Sequence, residues 1–130
     1  MIILDTHIWV RWLCNDTTLP KTLVKMIEKA PKLSVSAISC WEVAYLARRG
    51  RLELVLPLQE WLQVALEPSG VSVIPLEADI ARLAAELPDH HRDPADRFII
   101  ATALRHQAEI MTFDSKFMAY QEIKHLLIKK

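Results

Sequence analysis

The first ten residues, Met1-Ile2-Ile3-Leu4-Asp5-Thr6-His7-Ile8-Trp9-Val10 (MIILDTHIWV), read as a short buried strand over residues 2–4, ended by an acid. A helix follows, carrying Ile8, Trp9, Trp12 and Leu13 at helical spacing. The same strand-then-helix unit recurs downstream. Residues 21–29 form an amphipathic helix after Pro20, and residues 32–35 form a second strand after Pro31. Ser36 then caps a helix that runs to Arg49 and is closed by Gly50. Pro57 and Pro68 bracket a helix containing Trp61 and Leu62, and residues 71–74 alternate β-branched side chains with Ser72 before Pro75, which marks a third strand. A helix is predicted over 77–87 and another over 94–107, separated by a polar linker at 89–93. A fourth strand over 109–112, a turn containing Asp114 and a last apolar stretch at 123–128 complete the chain. Strands alternating with helices predict an α/β fold with a parallel sheet covered on both faces.

The 130 residues suit one domain, and a hydrophobic content of 52% suits a compact core. Sixteen basic residues balance sixteen acidic ones, so no global positive field draws nucleic acid or membrane to the protein, and any such binding must rest on a local patch. The candidate patch is Arg48, Arg49 and Arg51 around Gly50. It reads equally as a solvated helix end with favourable dipole interactions or as a phosphate-binding surface. Cys14 and Cys40 lie in apolar surroundings without metal-ligand spacing, which predicts reduced, packed thiols in a cytoplasmic protein. No basic leader or cleavage site precedes the first strand, so a mature start is expected, and no apolar run approaches the ~20 residues of a membrane helix. Two glycines cannot build a glycine-rich phosphate loop, which excludes the nucleotide-binding classes that depend on one.

Ligands of open α/β sheets bind beyond the carboxyl ends of the strands, and four acids fall near that edge. Asp5 follows the first strand, Glu42 lies about two turns into the helix after the second, Asp96 opens the helix before the fourth, and Asp114 follows the fourth. Each has a purely structural reading. Asp5 can cap the first helix, Glu42 can complete a capping box with Ser39, and Asp114 can form an Asx turn with Ser115 and Lys116. In HHRDPADRFIIA (residues 90–101), Asp93 is an N-cap, Pro94 suits the first helical position, and Asp96 lies where a helix dipole favours negative charge. Caps alone do not account for acids at equivalent ends of successive units. Hard oxygen ligands without cysteine or paired histidine favour Mg²⁺ or Mn²⁺ over zinc.

Four segments together carry a family resemblance: MIILDTHIWV, SVSAISCWEVAYL, DPADRFIIATAL and MTFDSKF. In order and spacing, over nearly the whole chain, the sequence resembles a PIN-domain ribonuclease of the VapC toxin type. The resemblance implies one PIN domain over residues 1–130, with three α/β/α layers around a central, mostly parallel sheet of four to five short strands. It places the catalytic and metal-binding acids on Asp5, Glu42, Asp96 and Asp114, with Asp93 as an auxiliary carboxylate. It also implies metal-dependent hydrolysis of RNA, inhibition by a cognate antitoxin, and a homodimer. Thr112 and Ser36 are candidates for ordering water, and Arg48, Arg49, Arg51 and Arg97 for holding RNA phosphates.

Two other classes compete. An aspartate-nucleophile phosphatase also places an acid after its first strand, but His7 stands where its second aspartate belongs. A non-catalytic α/β module would use Trp9, Trp12 and Trp61 as a protein-binding face, against the more usual burial of aromatics at helical spacing.

Overall fold

Strand β1 (Ile2–Leu4) is one of the two inner strands of a four-stranded parallel sheet, in a computed structural model describing residues 1–90 and 92–128. It lies between β2 (Leu33–Ser36) and β4 (Glu109–Met111), and β3 (Val71–Ile74) pairs with the far side of β2, giving the order β3-β2-β1-β4. Register is set by Ile2 opposite Leu33, Ile3 opposite Ile110 and Leu33 opposite Val71. Helices α1 (Thr6–Leu13), α2 (Lys21–Lys29), α3 (Ala37–Arg48), α4 (Leu58–Ala65), α5 (Ala78–Glu86) and α6 (Pro94–His106) connect and cover the strands.

Side chains alternate across a strand, so each strand feeds two cores. Ile2, Leu4, Leu33, Val35, Val71 and Met111 pack with α1, α2 and α4 on one face, while Ile3, Ile74 and Ile110 pack with α6 and the C-terminal segment on the other. The expected three-layer α/β/α arrangement is therefore present. Its sheet is wholly parallel rather than mostly so, and it has four strands. The last apolar stretch adds no fifth strand and makes only an isolated bridge between Leu127 and Ile110. Residues Gln121–Leu126 wind into a 3₁₀ helix instead. Its three-residue turn puts Ile123 and Leu126 on the same inward face, which the two-residue alternation of a strand would not do.

Trp9 is fully buried, lies edge-on to Trp61 with ring centroids 5.1 Å apart, and donates its indole N–H to the Ala65 carbonyl at 3.1 Å. Trp12 is half-buried against the same cluster. Trp9 and Trp61 are core and are not available for the binding face considered from the sequence. Both thiols are free; Cys14 is exposed at the end of α1, against the expectation of a packed thiol, whereas Cys40 is half-buried and packs against the core.

Both α1 and α3 start directly after a strand, and α6 runs into β4, so the N-termini of all three helices gather at the carboxyl edge of the sheet. Among the described residues no helix is long and apolar enough to cross a membrane. Replacing Trp9 with Ala should lower stability by about 3–5 kcal/mol in denaturant unfolding, from the cavity and the orphaned Ala65 carbonyl. A loss under about 1 kcal/mol would mean that the Trp9–Trp61 contact does not organise this core.

Candidate active site

Asp5 is the first residue beyond β1 and sits between the ends of β1 and β4, where the strand order reverses. Its backbone N–H donates to the Met111 carbonyl at 3.0 Å. Its buried carboxylate accepts the Thr6 N–H at 2.7 Å on one oxygen and the Thr112 hydroxyl at 2.7 Å on the other. The Thr112 oxygen in turn accepts the Asp114 N–H at 3.0 Å, so a single hydroxyl ties the ends of the two strands together. Thr112 is thus a positioning residue whose donor is spent on Asp5. Ser36 caps α3, accepting the Ile38 N–H at 3.2 Å.

Glu42 projects from α3, whose cap is Ser36. Ser39 lies inside that helix, so the capping box inferred for Ser39 and Glu42 does not form. The buried Ser39 and Thr6 hydroxyls are hydrogen-bonded to each other instead, at 2.8 Å, joining the starts of α1 and α3. Glu42 Oε1 is buried without a hydrogen-bond partner. Such an orphaned acceptor is costly unless something else meets it.

Asp93 caps α6 through the Ala95 N–H at 3.0 Å, with Pro94 in the first turn, as its motif predicts. Asp96, one turn on, is buried. Asp114 accepts the Lys116 N–H at 2.9 Å, the anticipated Asx turn, and starts the 3₁₀ helix Ser115–Ala119. Caps and convergence therefore coexist. The Asp96 carboxyl is pushed up to about 8, by burial first and then by the charges of Asp5, Asp93, Glu42 and Asp114. Burial also raises Glu42, with Asp5 and Asp93 adding to it, while the Thr6 hydroxyl and the charge of His7 oppose. Asp5 is raised by burial against the lowering effects of Thr112, His7 and Thr6, with Asp114 again raising it. All five sequence-predicted acids thus share one electrostatic neighbourhood. No three His, Cys, Asp or Glu side chains among the described residues form a ready-made ion cage.

Thr6 carries no role in the sequence-based expectations, Ser39 only that of a capping-box partner, and His7 only that of a mismatch to a phosphatase motif. Thr6, next to the candidate Asp5, was the available signal, since the first N–H groups of a helix need acceptors and its side chain faces the next helix. The arginines divide. The α3 helix ends in a Schellman turn, with Gly50 at φ 71°, Gly50 N–H donating to Ala47 and Arg51 N–H to Leu46. This turn returns Arg51 to a groove lined by Trp41, Glu42, Tyr45, Asp93 and Pro94. Arg48 and Arg49 are exposed beside it. Arg97, offered as a phosphate ligand from the sequence, donates to the carbonyls of Ala84, Ala85, Leu87 and Pro88 and closes the C-terminal end of α5. Its guanidinium is committed to that backbone.

The PIN domain family model matches residues 2–123. A curated relative, Ribonuclease VapC22 from Mycobacterium tuberculosis, is 34% identical over 121 residues, covering 92% of each chain. Among solved structures, VapBC2 from Rickettsia felis bound to a promoter DNA fragment superposes with a TM-score of 0.73 at 19% identity, over 98% of both chains. A toxin-antitoxin complex from Klebsiella pneumoniae superposes with a TM-score of 0.69 at 20% identity, over 99% of this chain and 97% of that one. The chain belongs to the PIN-domain family, in its VapC branch. That membership displaces the aspartate-phosphatase alternative.

Two outcomes follow from the site. Asp96 keeps its proton when folded up to about pH 8 but loses it near 3.8 when unfolded, so its contribution to stability is full below the lower value and is lost as pH rises through the higher. In EDTA, Asp96→Asn should therefore match wild type near about pH 4 and unfold at higher denaturant near about pH 8. Parallel pH profiles would remove Asp96 from the cluster. Arg97→Ala should cost about 1.5–3 kcal/mol in unfolding while leaving the salt dependence of RNA binding unchanged. The reverse pattern would restore Arg97 as a phosphate ligand.

Proposed function

We propose that this protein is a ribonuclease that hydrolyses RNA phosphodiester bonds with Mg²⁺ or Mn²⁺, and that it is the toxin of a toxin–antitoxin pair. The observation that carries the reading is one buried carboxyl, Asp96, burdened by four neighbouring negative charges, beside a second, Glu42, with an orphaned buried oxygen. Both features fit a hard divalent cation, which would relieve the repulsion and meet the free lone pairs. Asp5, Glu42 and Asp96 would hold the ion, with Asp114 available for a second ion or for orienting water and Asp93 as an auxiliary.

When bound there, the cation supplies charge neutralisation and Lewis acidity toward the substrate phosphate. The protein does the positioning. Thr6 and Thr112 fix the Asp5 carboxylate by one hydrogen bond to each oxygen, which leaves further acceptor capacity on both. Glu42 Oε1 keeps its lone pairs for the ion or for a proton of the attacking water. Arg48, Arg49 and Arg51 hold flanking phosphates from the end of α3.

The relative named for ribonuclease activity and the toxin–antitoxin assemblies of like fold support this reading. By the same reading residues 1–130 form one cytoplasmic PIN domain that dimerises and is held inactive by an antitoxin. Purified, antitoxin-free protein should cut total cellular RNA into discrete fragments with Mg²⁺ or Mn²⁺ and not with EDTA. Asp5→Asn, of nearly equal volume, should lower the rate on the order of 10²-fold or more without unfolding the chain. Metal-independent cutting, or full activity in Asp5→Asn, would contradict the proposal.

A further inference from the structure

Along α3, Trp41, Tyr45 and Arg49 recur every four residues and form a ladder on the helix surface. The Trp41 and Tyr45 rings are stacked, with centroids 5.0 Å apart at an interplanar angle of 16°. The Arg49 guanidinium lies over the Tyr45 ring, 4.9 Å from its centroid. Trp41 nevertheless leaves 56% of its surface exposed, in a chain whose other described tryptophans are buried or half-buried. Its one aromatic neighbour among the described residues is Tyr45. A large aromatic held flat by a stacked neighbour and open to solvent is a platform for another planar group.

The position of the platform selects the group. Trp41 and Tyr45 line a groove of about 430 Å³ together with Glu42, Asp93 and Arg51, so the groove runs from the exposed rings into the acid cluster. Interface cores between proteins are depleted of charged residues, and this groove carries three on its wall. Neutral aromatic faces flanked by Arg48, Arg49 and Arg51 complement a chain that alternates planar bases with phosphates. A base paired in an A-form helix is stacked on its neighbours and closed to such a platform.

We propose that Trp41 is a base-stacking subsite for the nucleotide next to the scissile phosphate, so that the substrate must be unpaired at that position. This rests on the ribonuclease reading and adds a specificity determinant to it. Tyr45 and Arg49 stiffen the platform, and Arg51 meets the adjoining phosphate. Because stacking tolerates any base, the subsite selects single strands over duplexes more than it selects sequence.

The test measures binding of a short dye-labelled single-stranded oligoribonucleotide to Asp5→Asn protein in EDTA, a background with less negative charge at the site, by fluorescence anisotropy, with tryptophan fluorescence recorded alongside. Binding should quench fluorescence, and a duplex of the same sequence should bind more weakly. Adding Trp41→Ala should weaken binding on the order of 5- to 150-fold with an unchanged melting temperature. Trp41→Phe should restore most of the affinity while abolishing the quench. One abasic position in the RNA should cost affinity with Trp41 present and cost nothing further with Trp41→Ala. Equal affinity for Trp41→Ala, or cleavage by wild type without measurable single-strand binding, would overturn the subsite and leave the ribonuclease reading standing. Conversion of a dimer to a monomer by Trp41→Ala, with RNA affinity unchanged, would assign the ladder to contact between two copies. A wild-type protein that neither binds nor cleaves RNA would remove both.

Discussion

A carboxylate buried at the carboxyl end of the central region of a parallel sheet is expensive, and the organisation around Asp5 is the means by which this chain tolerates one. Its neighbours β1 and β4, α1 and α3 are all joined through the hydrogen bonds that begin at Asp5 and Thr6. Thr112 carries the link to β4 and onward to the Asp114 backbone, and the Thr6 hydroxyl carries it to Ser39. Removing one partner would leave a buried acceptor unmet, at about 1–3 kcal/mol, so the network holds the site and the sheet edge together.

Asp96 shows which force dominates at that edge. A helix N-terminus stabilises a carboxylate by about 0.3–1 kcal/mol, up to ~2 in partly buried settings, which lowers its pKa by at most one to two units. Asp96 lies in the first turn of α6 and yet is raised from 3.8 to about 8. Desolvation and four negative neighbours overwhelm the dipole. Asn there would remove the titrating charge at nearly equal volume, so the acid lowers stability near neutral pH, and the cation site proposed for it would offset that loss. Arg97, one residue on, works in the opposite sense by closing the end of α5 with four carbonyl contacts.

The strand and helix boundaries were legible because the cues were local: apolar runs two to four residues long, prolines before helices, and Ser36 and Gly50 at the two ends of α3. The convergence of acids was legible from topology, since a parallel sheet sends its connections to one edge. Three features were not. The Thr112–Asp5 and Thr6–Ser39 bonds join residues 107 and 33 positions apart, and no local pattern announces them. Arg97 shares its composition with the RNA-binding candidates, and only the arrival of α5 beside α6 decides its role. Trp41 sits among apolar residues like the other tryptophans, so its exposure depends on which face of α3 the neighbouring helices leave open.

The cation site proposed on Asp5, Glu42, Asp96 and Asp114 would hold a proton at Asp96 in its apo form. Its most direct test is titration of the protein with Mn²⁺ by calorimetry near pH 7 in buffers of different ionisation enthalpy, which counts protons released per ion bound. Release approaching one proton per cation is expected from wild type, and much less from Asp96→Asn. Absence of binding at millimolar Mn²⁺, or binding with no proton release, would contradict it.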